Sequence, residues 1–195
     1  FIYKKIKQLH ATFKKAGSGL LVKKGDPLQV FKKLVSEFEV GTVYCNKDHE
    51  EFGIERDREI ACFLSENNIG FQTFLDHLIM DKDKVLKDDG TPYRVYTPYS
   101  RKWRSHLQNR HLKQYPSGEH LEKLYKGTGF NFPSIKRLGF KESTIAAPGI
   151  SSDESIITRY DTDRDFPARY GTTRLGVHLR FGTISIRELV KMAAR

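Results

Sequence analysis

The chain has 195 residues, a formal net charge of +10, 38% hydrophobic residues and 30% charged residues. That length allows one or two domains with a sizeable core, because domains of this size bury roughly 70% of the unfolded chain's surface. No stretch approaches the roughly 18 apolar residues of a membrane span, so no membrane partner is predicted. The positive charge predicts a polyanionic partner such as nucleic acid; a protein that simply happens to be basic is the alternative.

The first predicted elements are two helices separated by a short strand. Apolar residues recur in 1–16 at spacings of four, three and four, which predicts a helix face formed by Ile2, Ile6, Leu9 and Phe13. Gly17 is a natural end for that helix. The apolar run 19–22 predicts a buried strand, and Asp26-Pro27 predicts the start of a second helix that extends to about Phe38.

The pattern then continues with a strand at 42–45, a helix at 51–67 and a strand at 69–74. Helices that alternate with short apolar strands indicate a parallel sheet with crossover helices. The chain opens at Phe1, inside a helix and with no strand before it. We therefore expect a sheet that is incomplete at its start, in a piece of a longer protein.

After about Leu78 the pattern changes to a long connector. A turn is predicted at 88–90, and only one stretch, near 99–111, has a helical pattern. Loops of such length are usually functional or disordered. The aromatic residues Tyr93, Tyr96, Tyr99 and Trp103 favour an ordered connector, and the basic residues around Trp103 at 101–104 are a candidate contact for a polyanion.

The helical pattern returns at Ser151, and Ser185 with Glu188 forms a capping-box signature. Cys45 and Cys62 lack metal-ligand spacing and are interpreted as buried thiols in a reducing compartment. The seven histidines accompany no recognised nucleophile motif, so we interpret them as surface or structural residues. No metal site and no catalytic side chain are predicted.

A candidate phosphate site lies at 171–175, Gly-Thr-Thr-Arg-Leu. Small hydroxyl residues at the start of a helix offer side-chain donors and free backbone N–H groups, which together cradle a phosphate. Arg174 could pair with that phosphate through two hydrogen bonds or form a structural salt bridge. Taken alone, the motif also fits an ordinary helix N-cap.

Two ordered blocks of motifs resemble the DNA photolyase/cryptochrome family. The first block is Tyr160, Arg-Asp-Phe-Pro at 164–167, Gly-Thr-Thr-Arg-Leu-Gly at 171–176, Gly-Thr-Ile-Ser at 182–185, and Arg187. The second block is Asp-His-Leu-Ile at 76–79, then Asp-Gly-Thr-Pro-Tyr-Arg-Val-Tyr-Thr-Pro-Tyr at 89–99 and Trp103. This second block is most similar to the connector of class I cyclobutane pyrimidine dimer photolyases.

The resemblance implies an α/β fold with a truncated doubly wound parallel sheet, followed by a connector and the first helices of an all-α FAD-binding domain. The implied boundaries are 1–78 for the Rossmann-like antenna domain, 79–148 for the connector and 149–195 for the start of the helical domain. Folate-binding members carry Asn-Glu where this chain has Phe52-Gly53. Part of the antenna wall is therefore not folate-like. The family often carries an antenna chromophore, commonly a folate or a deazaflavin, and no residue of this chain is assigned to it.

The resemblance also implies a set of binding residues. The FAD phosphates and ribityl chain would be contacted by Tyr160, Thr172, Thr173, Arg174, Leu175 and Gly176. At Gly176 the family often has serine, so only the backbone N–H remains as a donor there. Arg164 resembles the arginine that faces the DNA backbone near the flavin, and its alternative role is a salt bridge with Asp161 or Asp163.

The function implied for the longer protein is light-dependent DNA repair by a deoxyribodipyrimidine photolyase, a carbon–carbon lyase. Reduced FAD would donate an electron to a pyrimidine dimer flipped out of the duplex, and the cyclobutane ring would split. We expect the fragment alone to bind FAD weakly or not at all. The alternatives are a cryptochrome-type blue-light photoreceptor and a non-flavin α/β nucleotide- or nucleic-acid-binding module. DNA in the cytoplasm is the expected partner, with no obligate protein partner.

Overall fold

The computed structural model describes residues 1–127, 129–150 and 153–193. The first part contains α1 (Ile2–Lys15), α2 (Pro27–Glu37), β1 (Thr42–Asn46), α3 (Glu51–Glu66) and β2 (Gly70–Phe74). The middle contains α4 (Tyr96–His106) and 3₁₀ helices at Lys82–Lys84, Asn109–Leu112 and Ser117–Lys123. The last part contains α5 (Glu154–Thr158), α6 (Tyr160–Asp163), α7 (Gly176–Arg180) and α8 (Ile186–Ala193). Across the described ranges, no helix is long and apolar enough to cross a membrane.

The ends of α1 and α2 follow their local sequence signals. Gly17 has a φ of +76°, and its N–H donates to Lys14 O while Ser18 N–H donates to Phe13 O. These two bonds form the Schellman arrangement that terminates a helix. The Asp26 carboxylate accepts a hydrogen bond from Gln29 N at 3.0 Å, with proline at the first helical position. The predicted limits of both helices are confirmed.

The sheet confirms the α/β prediction. β1 and β2 are parallel, from the pair Thr42–Gly70 to the pair Asn46–Phe74, and α3 connects them. One face of the sheet, with Val43 and Phe71, packs against a core whose buried members are Ile60, Leu64 and Ile69. Alternate strand residues point to opposite faces, so Tyr44 and Phe74 lie together on the exposed face.

The strand predicted at 19–22 is wrong. The run forms no ladder with either strand, and Leu21 is exposed. Instead, the Leu20 N–H donates to Nδ1 of His10 at 3.0 Å, and Gly19 packs against Phe130. A strand is stabilised by backbone hydrogen bonds to a neighbouring strand. This apolar run has no such neighbour, and one of its amides bonds to a side chain instead, so the run is irregular.

The buried side of α1 also differs from the predicted face. Ile2 and Leu9 are more than two-fifths exposed, whereas His10 is buried. The reason is tertiary: Phe132, from the connector, packs against Tyr3 and His10. The helix itself is confirmed, but the connector determines which of its sides is covered.

The connector is ordered by a second core. Its buried members are Ile79, Met80, Val85 and Leu112, and the half-buried residues Trp103, Leu107, Ile186 and Val190 pack around them. The turn predicted at 88–90 is confirmed, with Gly90 at a φ of +77°. The helix predicted at 99–111 begins earlier and ends at His106, because Leu107 adopts extended backbone angles. The basic residues at 101–104 suggested that Trp103 contacts a polyanion. Trp103 instead packs against this core.

The two thiols have different environments. Cys45 is half-buried, and burial raises the pKa of its thiol. Cys62 is exposed, so the prediction that both thiols are buried is wrong for this residue. Cys62 lies in α3 on the side of the helix opposite the buried Ile60 and Leu64.

His178 connects α7 to the end of the connector. The side chain is 1% exposed, with Nε2 2.8 Å from Pro148 O and Nδ1 2.7 Å from the Thr183 hydroxyl. Because a carbonyl only accepts, Nε2 carries the proton that donates to Pro148 O. This confirms the structural role predicted for the histidine.

A His178→Leu variant should therefore lose about 2 kcal/mol of unfolding free energy, since the Pro148 carbonyl is left without its donor. Urea unfolding followed by circular dichroism measures the loss. His120→Leu is the matched control, because His120 is exposed in the 3₁₀ helix Ser117–Lys123. Equal losses in the two variants would contradict the structural role of His178.

Candidate functional site

The site is built on two short consecutive helices, α5 and α6. Asp153 caps α5, and hydrogen bonds from the hydroxyl and amide of Ser155 hold the pKa of its carboxyl below the usual range. The cap therefore stays ionised at neutral pH.

The helix expected from Ser151 begins at Glu154, and Ser151 itself lies outside the described residues. Tyr160 is the first residue of α6 and is half-exposed.

The chain after α6 turns back and packs against that helix. Gly171 is buried, and a Cβ at this position would lie 2.7 Å from Cβ and 2.8 Å from the carbonyl oxygen of Asp163. Only glycine permits so close an approach to backbone. The segment 171–175, which we name the Thr-Arg loop, is thereby held next to α6, where Tyr160 lies.

The Thr-Arg loop presents hydrogen-bond donors without partners. Among the described residues, no acceptor is bonded to the amides of 171–178 or to the hydroxyls of Thr172 and Thr173. Arg174 likewise forms no ion pair with an acid of the described chain, which argues against the salt-bridge alternative. Leu175 is buried and anchors the end of the loop, and Gly176 begins α7 beside open space. A set of free donors with one unpaired guanidinium fits a phosphate group.

Arg174 has an unusual backbone conformation. Its φ is +53°, in the left-handed region that costs a non-glycine residue roughly 1–2 kcal/mol. The guanidinium carbon lies 4.8 Å from the centre of the Tyr170 ring. Such conformations persist only where neighbouring contacts impose them, and they cluster at functional sites. The buried residues Gly171 and Leu175 lie on either side of Arg174 and fix the two ends of the loop.

A groove of about 370 Å³ adjoins the Thr-Arg loop. It lies between the loop and α8, and its lining includes Leu175, Thr183, Ser185 and Leu189. Ser185 Oγ accepts a hydrogen bond from Glu188 N at 3.4 Å, which confirms its part in the predicted cap of α8. The groove thus places apolar side chains and hydroxyls beside the free donors.

Arg164 lies just beyond α6, with its guanidinium carbon 5.5 Å from the centre of the Tyr160 ring. Its acidic neighbour is Asp165, at 3.7 Å, rather than the predicted alternatives Asp161 or Asp163. Both side chains of that pair are more than half exposed. An exposed ion pair of this kind contributes little energy, so the guanidinium is available to a phosphate.

Arg187 joins α8 to the end of β2, a contact that sequence reasoning missed. Its guanidinium is nearly buried and donates to Asp76 Oδ1 at 2.6 Å and to Leu75 O at 2.9 Å. Arg187 and Asp76 each belong to one of the two motif blocks described above, but 111 positions separate them. Nothing in the local pattern of either motif indicates the pairing.

The sequence suggests Asp163 only as a possible partner of Arg164, whereas in the structure its partners are Arg159 and Arg169. The alternation of acids and arginines from 159 to 169 indicates that ion pairs form in this segment, but it does not determine which acid pairs with which arginine. In the described part of the chain, no cluster of His, Cys, Asp and Glu has the geometry to hold a metal ion.

Comparison with known proteins gives a consistent result. The family model described as DNA photolyase matches residues 1–118. A deoxyribodipyrimidine photo-lyase from Synechococcus sp. is 29% identical over 97% of this chain and 42% of its own length. Cryptochrome-1 of Spalax judaei is 24% identical over 96% of this chain and 36% of its own length. The chain thus spans about two-fifths of the length of the photolyases that it matches.

Solved structures share the fold. A bacterial class III photolyase from Agrobacterium tumefaciens superposes with a TM-score of 0.75 over 95% of this chain and 41% of its own, at 22% identity. An archaeal photolyase from Sulfolobus tokodaii, described with two FAD molecules, gives 0.58 over 98% of this chain and 42% of its own, at 23% identity.

Proposed function

Because this chain belongs to the DNA photolyase family, we propose that the full-length protein containing it uses FAD and light to split cyclobutane pyrimidine dimers in DNA. The name of the Synechococcus relative supports the reaction, and the name of the Sulfolobus structure supports the cofactor. The connector motif at 89–99 supports membership of class I. Cytoplasmic DNA is the proposed substrate.

The observation that carries this proposal is the Thr-Arg loop. Its free amides, two hydroxyls and unpaired guanidinium form a donor set with no acceptor of its own among the described residues. We assign Thr172, Thr173 and Arg174 to the FAD phosphates, with backbone contacts from Leu175 and Gly176. Tyr160 belongs to the same site because the contact between Gly171 and Asp163 holds the loop against α6.

When bound, FAD supplies the photochemical electron that opens the cyclobutane ring. The residues of this chain bind and orient. Arg174 would neutralise phosphate charge, Thr172 and Thr173 would fix the position of the phosphate, and Arg164 would hold the DNA backbone near the flavin. The dimer must leave the base stack to reach the flavin, and a damaged pair costs less to open than an intact one.

We further propose the domain limits 1–78, 79–148 and 149–195 for the antenna domain, the connector and the start of the FAD-binding domain. The second core supports a close association, because Ile186 and Val190 of α8 pack against connector residues. An antenna chromophore, folate or deazaflavin, belongs to the first domain, with no contact residue assigned.

The test uses the full-length protein and an oligonucleotide that carries one cyclobutane thymine dimer. We expect dimer loss under blue light and reducing conditions, and no loss in the dark. A bound flavin that is photoreduced without repair would instead favour the cryptochrome-type photoreceptor, for which the similarity to Cryptochrome-1 is the supporting observation.

An Arg164→Gln variant should weaken binding to damaged and undamaged duplexes alike. A phosphate contact carries no base information, and its loss reduces the slope of log K against log salt concentration by about 0.9. Fluorescence anisotropy at several salt concentrations measures this slope. Arg137→Gln, which removes an exposed arginine outside the site, should leave the slope unchanged; an unchanged slope for Arg164→Gln as well would remove the assignment.

A further inference from the structure

We propose that Asp163 is a positioning residue for the Thr-Arg loop, so that FAD binding depends on a carboxylate that does not touch FAD. This inference rests on the proposed function, because it takes the loop as the phosphate site. Its basis is a set of contacts around α6 that neither the family motifs nor the local sequence pattern identifies.

The first contacts are two ion pairs. Asp163 Oδ1 lies 2.9 Å from Arg169 Nη1, and Oδ2 lies 3.4 Å from Arg159 Nε. The carboxylate is 17% exposed, whereas the two arginine side chains are 57% and 60% exposed. Arg169 also stacks on Phe166, with its guanidinium carbon 4.3 Å from the ring centre. Asp163 therefore holds Arg169, and with it the chain that leads into the loop.

The second contact is between backbones. Asp163 O accepts a hydrogen bond from Phe166 N at 3.1 Å, and the same carbonyl faces Gly171. Asp163 N–H donates to Arg159 O at 2.9 Å. Asp163 thus contacts the cap residue shared by α5 and α6, the turn after α6 and the first residue of the Thr-Arg loop. Arg174, three residues further on, keeps its left-handed backbone only while this end of the loop is held.

The charge of Asp163 and its positioning role predict opposite effects on FAD affinity when the carboxylate is neutralised. A carboxylate near a phosphate site repels the ligand, so its neutralisation would tighten FAD binding if Coulomb repulsion dominated. Two guanidinium groups already neutralise the Asp163 carboxylate, which reduces that repulsion. If Asp163 instead positions the loop, its neutralisation releases Arg169 and weakens FAD binding.

The experiment compares FAD with riboflavin on the full-length protein freed of its flavin. The two ligands share the ring system and ribityl chain, but only FAD carries phosphates. We expect Asp163→Asn to lower the affinity for FAD about tenfold, the factor for one lost charge-assisted hydrogen bond, and to leave riboflavin affinity unchanged. Arg169→Gln should give the same loss, and the double variant little more, because both changes remove one interaction.

The matched control is Asp161→Asn, which makes the same charge change at an exposed position of the same short helix. It should change the ratio of the two affinities less than twofold. A ratio of FAD affinity to riboflavin affinity that stays unchanged or increases in the folded variants, Asp163→Asn and Arg169→Gln or Arg169→Gln alone, would overturn the positioning role. A wild-type protein that binds both ligands equally would instead overturn the phosphate site itself. Arg169 is exposed, so its variant keeps the test decisive if Asp163→Asn fails to fold.

Discussion

The free energy of unfolding of an Arg187→Met variant of the full-length protein should be about 3 kcal/mol lower than that of the wild type. The Arg187 side chain is 10% exposed, and its guanidinium donates to the Asp76 carboxylate and to Leu75 O. Methionine keeps the apolar stem but leaves the Leu75 carbonyl without this donor. Hydrogen bonds to charged groups contribute about 1.5–3 kcal/mol each, and the Asp76 side chain, which is 60% exposed, regains water.

The matched control is Arg180→Gln, one helix earlier. Arg180 pairs with Glu50 at 2.6 Å, but both side chains are more than half exposed, so this loss should stay below about 1 kcal/mol. Urea unfolding gives the free energies, and hydrogen exchange reports whether the amides of α8 open separately from those of β2. Similar losses in the two variants would show that burial of Arg187 is not what stabilises the contact between α8 and β2.

An Arg174→Glu variant should bind FAD about a hundredfold more weakly, which corresponds to about 2.7 kcal/mol. The change removes a guanidinium with no acidic partner among the described residues and places a carboxylate beside the proposed phosphate position. One charge-assisted hydrogen bond is lost, and like-charge repulsion is added. Flavin fluorescence titration of the flavin-free full-length protein measures the affinity.

Arg137→Glu is the control for this second prediction. It makes the same charge reversal at an exposed residue of the connector and should change FAD affinity less than twofold. Riboflavin provides a second comparison, since it lacks the phosphates that Arg174 is proposed to bind. A loss below threefold for FAD, or an equal loss for riboflavin, would remove Arg174 from the phosphate site.

Much of the candidate site could be predicted from the sequence because its motif is contiguous. Residues 171–176 occur as one run, and the structure places that run in a loop rich in free donors. Their contacts with FAD stay a prediction. The ion pairs of Asp163 could not be predicted, because several acids and arginines lie within ten residues and the backbone path selects among them.

The sequence by itself determined the features whose partners lie within a few residues. Asp26 and Pro27 start α2, Gly17 ends α1, and the turn at 88–90 forms around Gly90, since caps and tight turns are satisfied by neighbouring backbone groups. Alternation of helices and apolar runs similarly indicated the parallel pair of strands.

Only the tertiary structure decided the features whose partners are distant in sequence. The run 19–22 is not a strand because its backbone bonds to His10 rather than to a neighbouring strand, and Phe132 selects the covered side of α1. Arg187 is matched to Asp76 across 111 residues. Side-chain burial and long-range hydrogen bonds depend on which surfaces meet, and a local pattern of residue types does not contain that information.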